Sequence, residues 1–397
     1  MLQLDVIHTL ALAGMVLFLG YALCRYVPIL SRYNLPAPVV GGLVVAIAAL
    51  VAHGQGRTLL QLDTSLQAPL MIAFFTAIGM NASLSLLRIS GKQVMVFLAL
   101  ASGFAIAQNL LGMAVAAGFG LHPLFGVLAG STTLTGGPAT GLAFAPLFEA
   151  AGVEGAESVA VASAMAGIVL GGLVGGPAIT LLIRRHRLRS SGQGHNVVIE
   201  QQDAHSRLDD ASREFTALQA IVVLLVAMWI GHWVSHGIAS LGLTMPAYIG
   251  AMLVGAALRN VDDVTGWLRL PVATIELIGN VCLALFLSIA LMNLKLWELS
   301  GLAAPLLVNL VLQVAMVIAF CGVIFRMMGR DYDAAVMSGG FIGFMLGTTA
   351  NAMAVMQTLT ARYGVAPRAF LVAPLVGAFF IDFSNALIIT GFINFWR

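Results

Sequence analysis

Long apolar segments recur along the whole chain and leave little polar sequence between them. Hydrophobic residues make up 60% of the 397 positions and charged residues only 9%. A soluble globular domain carries about 25% charged residues, so this composition indicates a membrane protein with many spans. About 20 helical residues cross a hydrocarbon core. We predict ten spans: 6–24, 38–53, 68–82, 93–119, 158–183, 217–240, 245–258, 273–292, 300–328 and 368–395.

Two further segments, 123–147 and 334–360, are apolar but interrupted by glycine, threonine, serine and asparagine. Irregular backbone is tolerated at membrane depth only where protein buries it or where it lines a polar cavity. We therefore expect each segment to be a broken or re-entrant helical hairpin. They are called the first hairpin and the second hairpin below.

The basic residues indicate an orientation. If the spans alternate, only Arg57, Lys295 and Arg397 of the 19 lysines and arginines fall on the same side as the termini. Basic residues favour cytoplasmic loops, so both termini are predicted to lie outside the cytoplasm. The only long polar segment, 184–216, begins with RRHRLR. We expect it to be a flexible cytoplasmic linker.

The two halves on either side of the linker, 1–183 and 217–397, resemble each other. LPAPVVGGLVVAI in the first half parallels TMPAYIGAMLVGA in the second, and IAFFTAIGMN parallels LALFLSIALMN. Three of the paired positions lie 209 to 212 residues apart, and Gln108 and Gln313 fall midway through corresponding spans. Each half has five full spans and one hairpin, and because five is odd, the second half enters from the opposite side. The sequence thus predicts two inverted-topology repeats, which are common in secondary transporters.

The first hairpin contains GSTTLTGGPATG, and the second repeats its character in GFMLGTTANA. Paired glycines permit a sharp reversal, and Pro138 suits the first turn of a new helix. Helix N-termini attract anions, and hydroxyl oxygens bind anions or small cations. We predict one midplane substrate site built from both hairpins: Ser131, Thr132, Thr133, Thr135, Gly136, Gly137, Thr140, Gly347, Thr348, Thr349 and Asn351. The alternative is that small residues here only permit close helix packing.

One acidic residue, Asp382, lies well inside the last predicted span. A carboxylate in a membrane is costly and marks a functional candidate, and Asn385 lies on the same helical face at i+3. Together with hydroxyl or carbonyl oxygens they could form an all-oxygen cation site. The alternative is a carboxylate bonded to a neighbouring helix for structure. Neither hairpin contains lysine or arginine, so helix N-termini, amides, hydroxyls and bound cations would have to hold an anionic substrate.

Several stretches closely resemble the bacterial sodium/glutamate symporters: APLMIAFFTAIGMNASL, GSTTLTGGPATG, LMNLKLWEL, RMMGRDYDAAV and VAPLVGAFFIDFSNALII. The resemblance omits only the central linker. It implies a transporter, not an enzyme, that imports glutamate with sodium across the bacterial inner membrane. It also implies two inverted halves, a homodimer, sodium as the only metal and no cofactor. Sodium-binding residues implied by the resemblance are Asp382, Asn385, Gln108 and Gln313.

The chain departs from the family pattern at both hairpin tips. Pro138 and Ala139 stand in GGPATG, where the family usually reads GGHGTG, and Met345 replaces a glycine of the second tip. Ala350 and Asn351 occupy the surroundings of an expected proline. The substrate therefore stays open: glutamate is the family default, and another anionic solute or amino acid, or coupling to protons, is the alternative.

Alternating access is the expected mechanism, in an elevator-like form in which a core with both hairpins moves against a scaffold that includes 38–53 and 245–258. A channel or a membrane-embedded enzyme is the competing class. No continuous polar lining, catalytic Ser/His pair, HExxH motif or nucleotide loop occurs. The three cysteines form no metal or disulfide pattern. The net charge of +2, without a basic run interleaved with aromatic residues, gives no reason to expect a nucleic-acid partner.

Overall fold

The computed structural model describes residues 2–57, 60–190, 210–240, 242 and 245–396. Most of the predicted linker 184–216 lies outside these residues. Within them the protein is almost entirely helical, as the apolar segments predict. Helices α1 to α16 are Val6–Tyr26, Pro28–Arg32, Ala37–Gly54, Gln67–Asn81, Leu84–Gly118, Pro123–Val127, Gly137–Ala150, Ala156–Arg185, Asp210–Ser240, Tyr248–Thr265, Val272–Met292, Ala303–Met327, Tyr332–Met345, Thr349–Tyr363, Pro367–Leu375 and Ile381–Trp396.

One pair of short strands departs from the all-helical prediction. β1, Leu2–Leu4, and β2, Leu60–Leu62, pair in parallel with Gln3 opposite Gln61. Both have the sequence Leu-Gln-Leu, which alternates as a strand requires. Three residues are too short a pattern for the sequence to distinguish them from a loop.

Among the described residues, seven helices are long and apolar enough to cross a membrane: Val6–Tyr26, Ala37–Gly54, Gly91–Gly118, Ala156–Arg185, Glu214–Ser240, Val272–Met292 and Ala303–Met327. The other three predicted spans are shorter, more polar or interrupted. α4 has 15 residues, α10 carries Arg259, Asp262 and Asp263 in its last turns, and the last predicted span divides into α15, a π-helical turn and α16. The structure therefore supports a polytopic membrane protein, and the count of ten spans remains a prediction.

The helices pack mainly within two groups. The scaffold group consists of α1, α3, α4, α9, α10 and α11. The site group consists of α5, α8, α12, α15, α16 and both hairpins, which occupy Pro123–Ala150 and Tyr332–Tyr363. Buried aromatic rings join α5 to the second hairpin; the ring centroids of Phe104 and Phe341 are 5.2 Å apart. The main hydrophobic core lies mostly in the site group and also includes Phe75 of α4 and Tyr248 of α10, which belong to the scaffold group.

The two halves also make corresponding contacts. A methyl group placed on Gly42 of α3 would lie 2.4 Å from Leu291 Cβ of α11, and one placed on Gly79 of α4 would lie 2.1 Å from the Met252 carbonyl oxygen of α10. The sequence offsets of 210 and 212 residues pair Gly42 with Met252 and Gly79 with Leu291. Each close approach thus joins a helix of the first half to a helix of the second half, and each depends on a residue without a Cβ atom.

Candidate substrate and ion site

The first hairpin breaks where its sequence changes to glycine and hydroxyl residues. α6 leads into a π-helical turn, Leu128–Thr132, in which Gly130 is non-helical with φ −99° and ψ −128°. α7 starts again at Gly137, with Pro138 in its first turn. Five predicted hydroxyl residues of this hairpin are buried: Ser131, Thr132, Thr133, Thr135 and Thr140. A buried break of this kind leaves backbone groups that need polar partners.

Two of these hydroxyl residues lie apart from the tip. Thr133 Oγ1 is 2.8 Å from the Leu128 carbonyl oxygen and 2.9 Å from Ser163 Oγ of α8. Thr140 packs beside Gly136, whose added methyl would lie 2.6 Å from Thr140 Cβ. The Thr133 hydroxyl is therefore bonded within the first hairpin and to α8, and Thr140 packs against the first hairpin at Gly136.

The tip of the second hairpin is tied to its neighbours by side chains that the sequence predicts as substrate ligands. Thr348 caps α14 and accepts a hydrogen bond from the Asn351 backbone N–H, at 3.4 Å. Asn351 Nδ2 donates to the Ile168 carbonyl oxygen of α8, at 2.9 Å. Thr349 Oγ1 donates to the Gly377 carbonyl oxygen before α16, at 2.6 Å. Of these three side chains, Asn351 retains a buried Oδ1 with no partner among the described residues.

The two hairpin tips lie in contact, and Gln108 of α5 joins them. Gln108 Oε1 accepts a hydrogen bond from Thr135 Oγ1 at 2.6 Å, and Gln108 Nε2 donates to the Met345 carbonyl oxygen at 2.9 Å. A methyl group placed on Gly137 would lie 3.7 Å from the Gly347 carbonyl oxygen. The structure thus brings together the two segments that the sequence predicts to meet.

Two further buried amides hold the π-helical turn of the first hairpin, and a third bonds the backbone of α5. Asn109 Oδ1 accepts from the Ser131 backbone N–H at 2.9 Å, and Asn309 Nδ2 donates to the Ala129 carbonyl oxygen at 2.7 Å. Gln313 Nε2 donates to a backbone carbonyl of α5 at 2.8 Å. The sequence analysis missed both asparagines. The signal that could have found them is an amide side chain inside an apolar span. Asn109 directly follows Gln108, and Asn309 lies four residues before Gln313.

The last helix meets the first hairpin at Asn385. Asn385 Nδ2 donates to the Ser131 carbonyl oxygen at 2.9 Å, and Asn385 is buried. Asp382, three residues earlier, is half-buried. It lies close enough to Tyr248 of α10 for the two side chains to interact electrostatically. In the part of the chain that the structure describes, the Asp382 carboxylate accepts no hydrogen bond and forms no ion pair.

Several buried oxygens around these contacts have no hydrogen-bond partner among the described residues. They belong to hydroxyl and amide side chains of the first hairpin, α12 and α16: Ser131 Oγ, Thr132 Oγ1, Gln313 Oε1, Asn385 Oδ1 and Thr390 Oγ1. A buried polar atom without a partner is costly, and oxygen atoms are the ligands of hard cations. Asp382 lies one turn before Asn385 on α16, so a carboxylate and an amide of this helix lie near the first hairpin.

Comparison with known proteins identifies the family that shares this sequence. The family model described as sodium/glutamate symporter matches residues 2–365. A protein of Haemophilus influenzae named sodium/glutamate symporter is 40% identical over 387 residues, covering 96% of this chain and 95% of the relative. Proteins of the same name from Escherichia coli K12 and Shigella flexneri are each 41% identical over 396 residues, covering 98% of this chain and 97% of the relative.

This chain belongs to the sodium/glutamate symporter family. The resemblance seen in the sequence is thereby confirmed, and the relatives are named as transporters, not as enzymes. The symporter family model includes both hairpins and the two glutamines, Gln108 and Gln313, whereas Asp382 and Asn385 lie beyond its last matched residue, 365. The match to the family model and the contacts at the hairpin tips therefore cover the same parts of the chain, except for α16.

A cavity of about 940 Å³ lies away from the hairpin tips of this symporter family member. It is lined by the start of the first hairpin, the α7–α8 connection and residues 293–302. Its lining includes Lys295 and four carboxylates: Glu149, Glu154, Glu157 and Glu298. Lys295 Nζ is 3.6 Å from Glu298 Oε1. None of the predicted substrate or sodium residues lines it. The convergent polar groups of the tips and this acidic cavity are separate features.

Proposed function

We propose that this protein imports glutamate together with sodium ions across the bacterial inner membrane. One observation carries the proposal. The tips of two broken helical hairpins, one from each half of the chain, touch through Gln108 beside buried oxygens that have no hydrogen-bond partner among the residues the structure describes. Relatives named for sodium and glutamate support this pair of transported solutes.

Sodium binds between the first hairpin and α16 in this proposal. Ser131, Thr132 and Asn385 each present an unpartnered buried oxygen, and Asp382 supplies the negative charge. Carboxylate, carbonyl and hydroxyl oxygens suit a hard cation. Gln108 acts instead as a clamp, because both polar atoms of its amide are already bonded. Gln313 keeps a free amide oxygen and remains a candidate ligand.

Glutamate binds at the tips, next to the N-termini of α7 and α14. Free N–H groups and the helix dipole favour an anion at such a position. The hairpin segments 123–147 and 334–360 contain no lysine or arginine, and Arg362 lies in the last turn of α14, far along the chain from the tip. A buried anion without a counter-charge is strongly disfavoured, so bound sodium compensates the substrate charge. This requirement couples the two solutes.

Transport proceeds by alternating access in an elevator-like manner, with the site group moving against the scaffold group. An inverted repeat supplies the two related states. The repeat is supported by the exchanged contacts Gly42–Leu291 and Gly79–Met252, and the division into two bodies by the packing of helices within each group. We further propose that both termini lie outside the cytoplasm and that scaffold helices α3 and α10 contribute to a homodimer interface.

A second candidate is the same mechanism acting on a different anionic solute or amino acid, or driven by protons. Met345 motivates it, because its sulfur lies 3.3 Å from Thr135 Oγ1 while its carbonyl bonds Gln108. A long side chain therefore lies at the tip where the family resemblance expects glycine. A bulkier tip leaves less space for the solute.

Uptake into proteoliposomes tests both candidates. Radiolabelled L-glutamate is offered under an imposed sodium gradient, a proton gradient, or neither, and unlabelled amino acids and dicarboxylates compete for uptake. Accumulation that requires sodium and is displaced best by L-glutamate supports the first proposal. Accumulation driven by protons, or displaced better by another solute, supports the second and excludes the first.

A further inference from the structure

The connection from α4 to α5 contains a backbone joint. α5 runs from Leu84 to Gly118 and is kinked at Gly91. The backbone of Gly91 is not helical, with φ 73° and ψ −171°. This region is populated essentially by glycine alone. The segment 84–90 and the long helix 91–118 therefore point in different directions, and Gly91 is the residue at which the chain turns.

The segment before Gly91 is fastened to the scaffold group. Asn260 of α10 donates from Nδ2 to the Ala82 carbonyl oxygen at 2.9 Å and accepts from the Leu84 backbone N–H at 2.8 Å. Ser83 Oγ donates a hydrogen bond to Asp263 Oδ2. Asp263 also forms an ion pair with Arg259, in which Oδ1 lies 2.9 Å from Arg259 Nε. This end of the connection thus belongs to α10.

The helix after Gly91 belongs to the site group. It carries Gln108, which bonds both hairpin tips, and Asn109, which bonds the π-helical turn of the first hairpin. A single glycine therefore separates chain that is fixed to α10 from chain that holds the hairpins.

The second half repeats the arrangement between α11 and α12. Ser300-Gly301 corresponds to Ser90-Gly91 at an offset of 210 residues, and Gly301 has φ 94°. Before it, Trp297 stacks on His53 of α3, with ring centroids 4.0 Å apart. After it, α12 carries the amides Asn309 and Gln313 that hold the first hairpin and α5.

Packing does not impose the turn at either glycine. A methyl group built on Gly91 or Gly301 would have no atom within 4 Å in the described structure. Each glycine is thus free of close neighbours. Gly91 lies between chain that is bonded to α10 and chain that bonds the hairpins, and Gly301 follows a segment that contacts both α3 and α8. Glycine at these positions is explained by backbone conformation and not by close approach.

We propose that Gly91 and Gly301 are paired hinges about which α5 and α12, with both hairpins, move relative to the scaffold group. This inference rests on the alternating access proposed above. A positive φ is available to glycine at no steric cost, whereas an L side chain opposes it. Alanine at either position therefore disfavours one of the backbone conformations that the movement needs, without touching the substrate or ion ligands.

The test compares Gly91→Ala and Gly301→Ala with Gly103→Ala and Gly322→Ala, which lie inside the same two helices and also have open space around a Cβ. In proteoliposomes we expect sodium-driven glutamate uptake to fall about tenfold in each hinge variant and to stay within about twofold of the unaltered protein in each control. Sodium-dependent glutamate binding, measured by calorimetry in detergent, is expected to stay within about twofold in all four. Retained binding shows that a variant has folded.

A second readout does not depend on transport. Spin labels are attached at exposed Leu110 of α5 and exposed Val264 of α10, in a background with Cys24, Cys282 and Cys321 replaced. Pulsed electron resonance is expected to give two distance populations in the parent protein and one in each hinge variant. Hinge variants that transport and change distance like their controls would overturn the inference while the proposed function stands. If the parent protein shows no sodium-driven uptake, the proposed function fails. The hinge proposal is then tested by the distance distributions alone: one population in each hinge variant against two in the parent protein supports it, and equal distributions contradict it.

Discussion

The amide nitrogen of Gln108 lies 2.9 Å from the carbonyl oxygen of Met345, and the amide oxygen of the same side chain lies 2.6 Å from the hydroxyl of Thr135. One residue of α5 thereby bonds both hairpin tips. All three residues are buried. Removing the amide would leave two buried polar groups without partners, and each such loss costs about 1–3 kcal/mol.

Gln108→Leu is therefore expected to weaken sodium-dependent glutamate binding by about tenfold or more. The physical reason is that the tips lose the side chain that fixes their relative position. Binding is measured by calorimetry and uptake in proteoliposomes. Gln357→Leu, on the exposed side of α14, is the matched control. Equal glutamate affinities for the two variants would show that Gln108 does not contribute to the substrate site.

The sequence alone predicts that Gln108 is a site residue but does not reveal which residues it bonds. A polar residue in an apolar span marks it as a candidate, and the resemblance suggests a sodium ligand. Its partner Met345 is 237 residues away, so the clamp exists only once the end of α13 is positioned. The same limit applies to Asn309, whose bond to Ala129 spans 180 residues. Local signals such as Gly136, Gly137 and Pro138 predict a break in the hairpin. The partners of Gln108 and Asn309 are set by the packing of distant helices, which no local sequence pattern shows.

Substitution of Asp382 tests the ion site. Asp382→Asn keeps the size of the side chain and removes its charge, so we expect the sodium concentration for half-maximal uptake to rise by about tenfold or more. Uptake is measured over a range of sodium concentrations with lithium or choline as replacement. Glu214→Gln, an exposed acid of α9, should leave the sodium dependence unchanged. An unaltered sodium response in Asp382→Asn would place the coupling ion elsewhere.

Asn309 tests whether buried amides hold the first hairpin. Asn309→Leu leaves the Ala129 carbonyl unpaired inside the protein, which costs about 1–3 kcal/mol. We expect a lower thermal unfolding temperature in detergent, followed by tryptophan fluorescence. Asn280→Leu on the exposed face of α11 makes the same chemical change where no buried carbonyl depends on it. A similar unfolding temperature for both variants would show that the Asn309 bond contributes little.

The exchanged glycine contacts give a paired prediction about the two halves. Gly79→Ala would place a methyl 2.1 Å from the Met252 carbonyl oxygen, and Gly42→Ala would place one 2.4 Å from Leu291 Cβ. Overpacking of this kind costs about 1–3 kcal/mol, so both variants should unfold at lower temperature than Gly103→Ala. Leu291→Gly removes the Cβ atom that the methyl on Gly42 meets. Adding Gly42→Ala should therefore cost less stability in Leu291→Gly than in the parent protein, whereas adding Gly79→Ala should cost the same in both. Failure of that selective rescue would argue against the contact.

Ser158 and Lys295 join the two groups of helices at the acidic cavity. Ser158 Oγ of α8 donates to the Lys295 carbonyl oxygen at 2.9 Å. Lys295 follows α11 of the scaffold group, whereas α8 packs on both hairpins. If the site group moves against the scaffold group, this contact breaks during each transport cycle.

A cross-link between the two positions should therefore stop transport. Ser158→Cys with Lys295→Cys is prepared without the three native cysteines and oxidised with copper phenanthroline. We expect uptake to be lost on oxidation and recovered with reductant, because a disulfide holds the two Cα atoms within about 7 Å. Glutamate binding should persist in the oxidised protein, since neither residue is a proposed ligand. Each single-cysteine variant controls for oxidation damage. Undiminished uptake by a fully cross-linked sample would mean that α8 and residue 295 do not separate, and the elevator-like movement would be excluded.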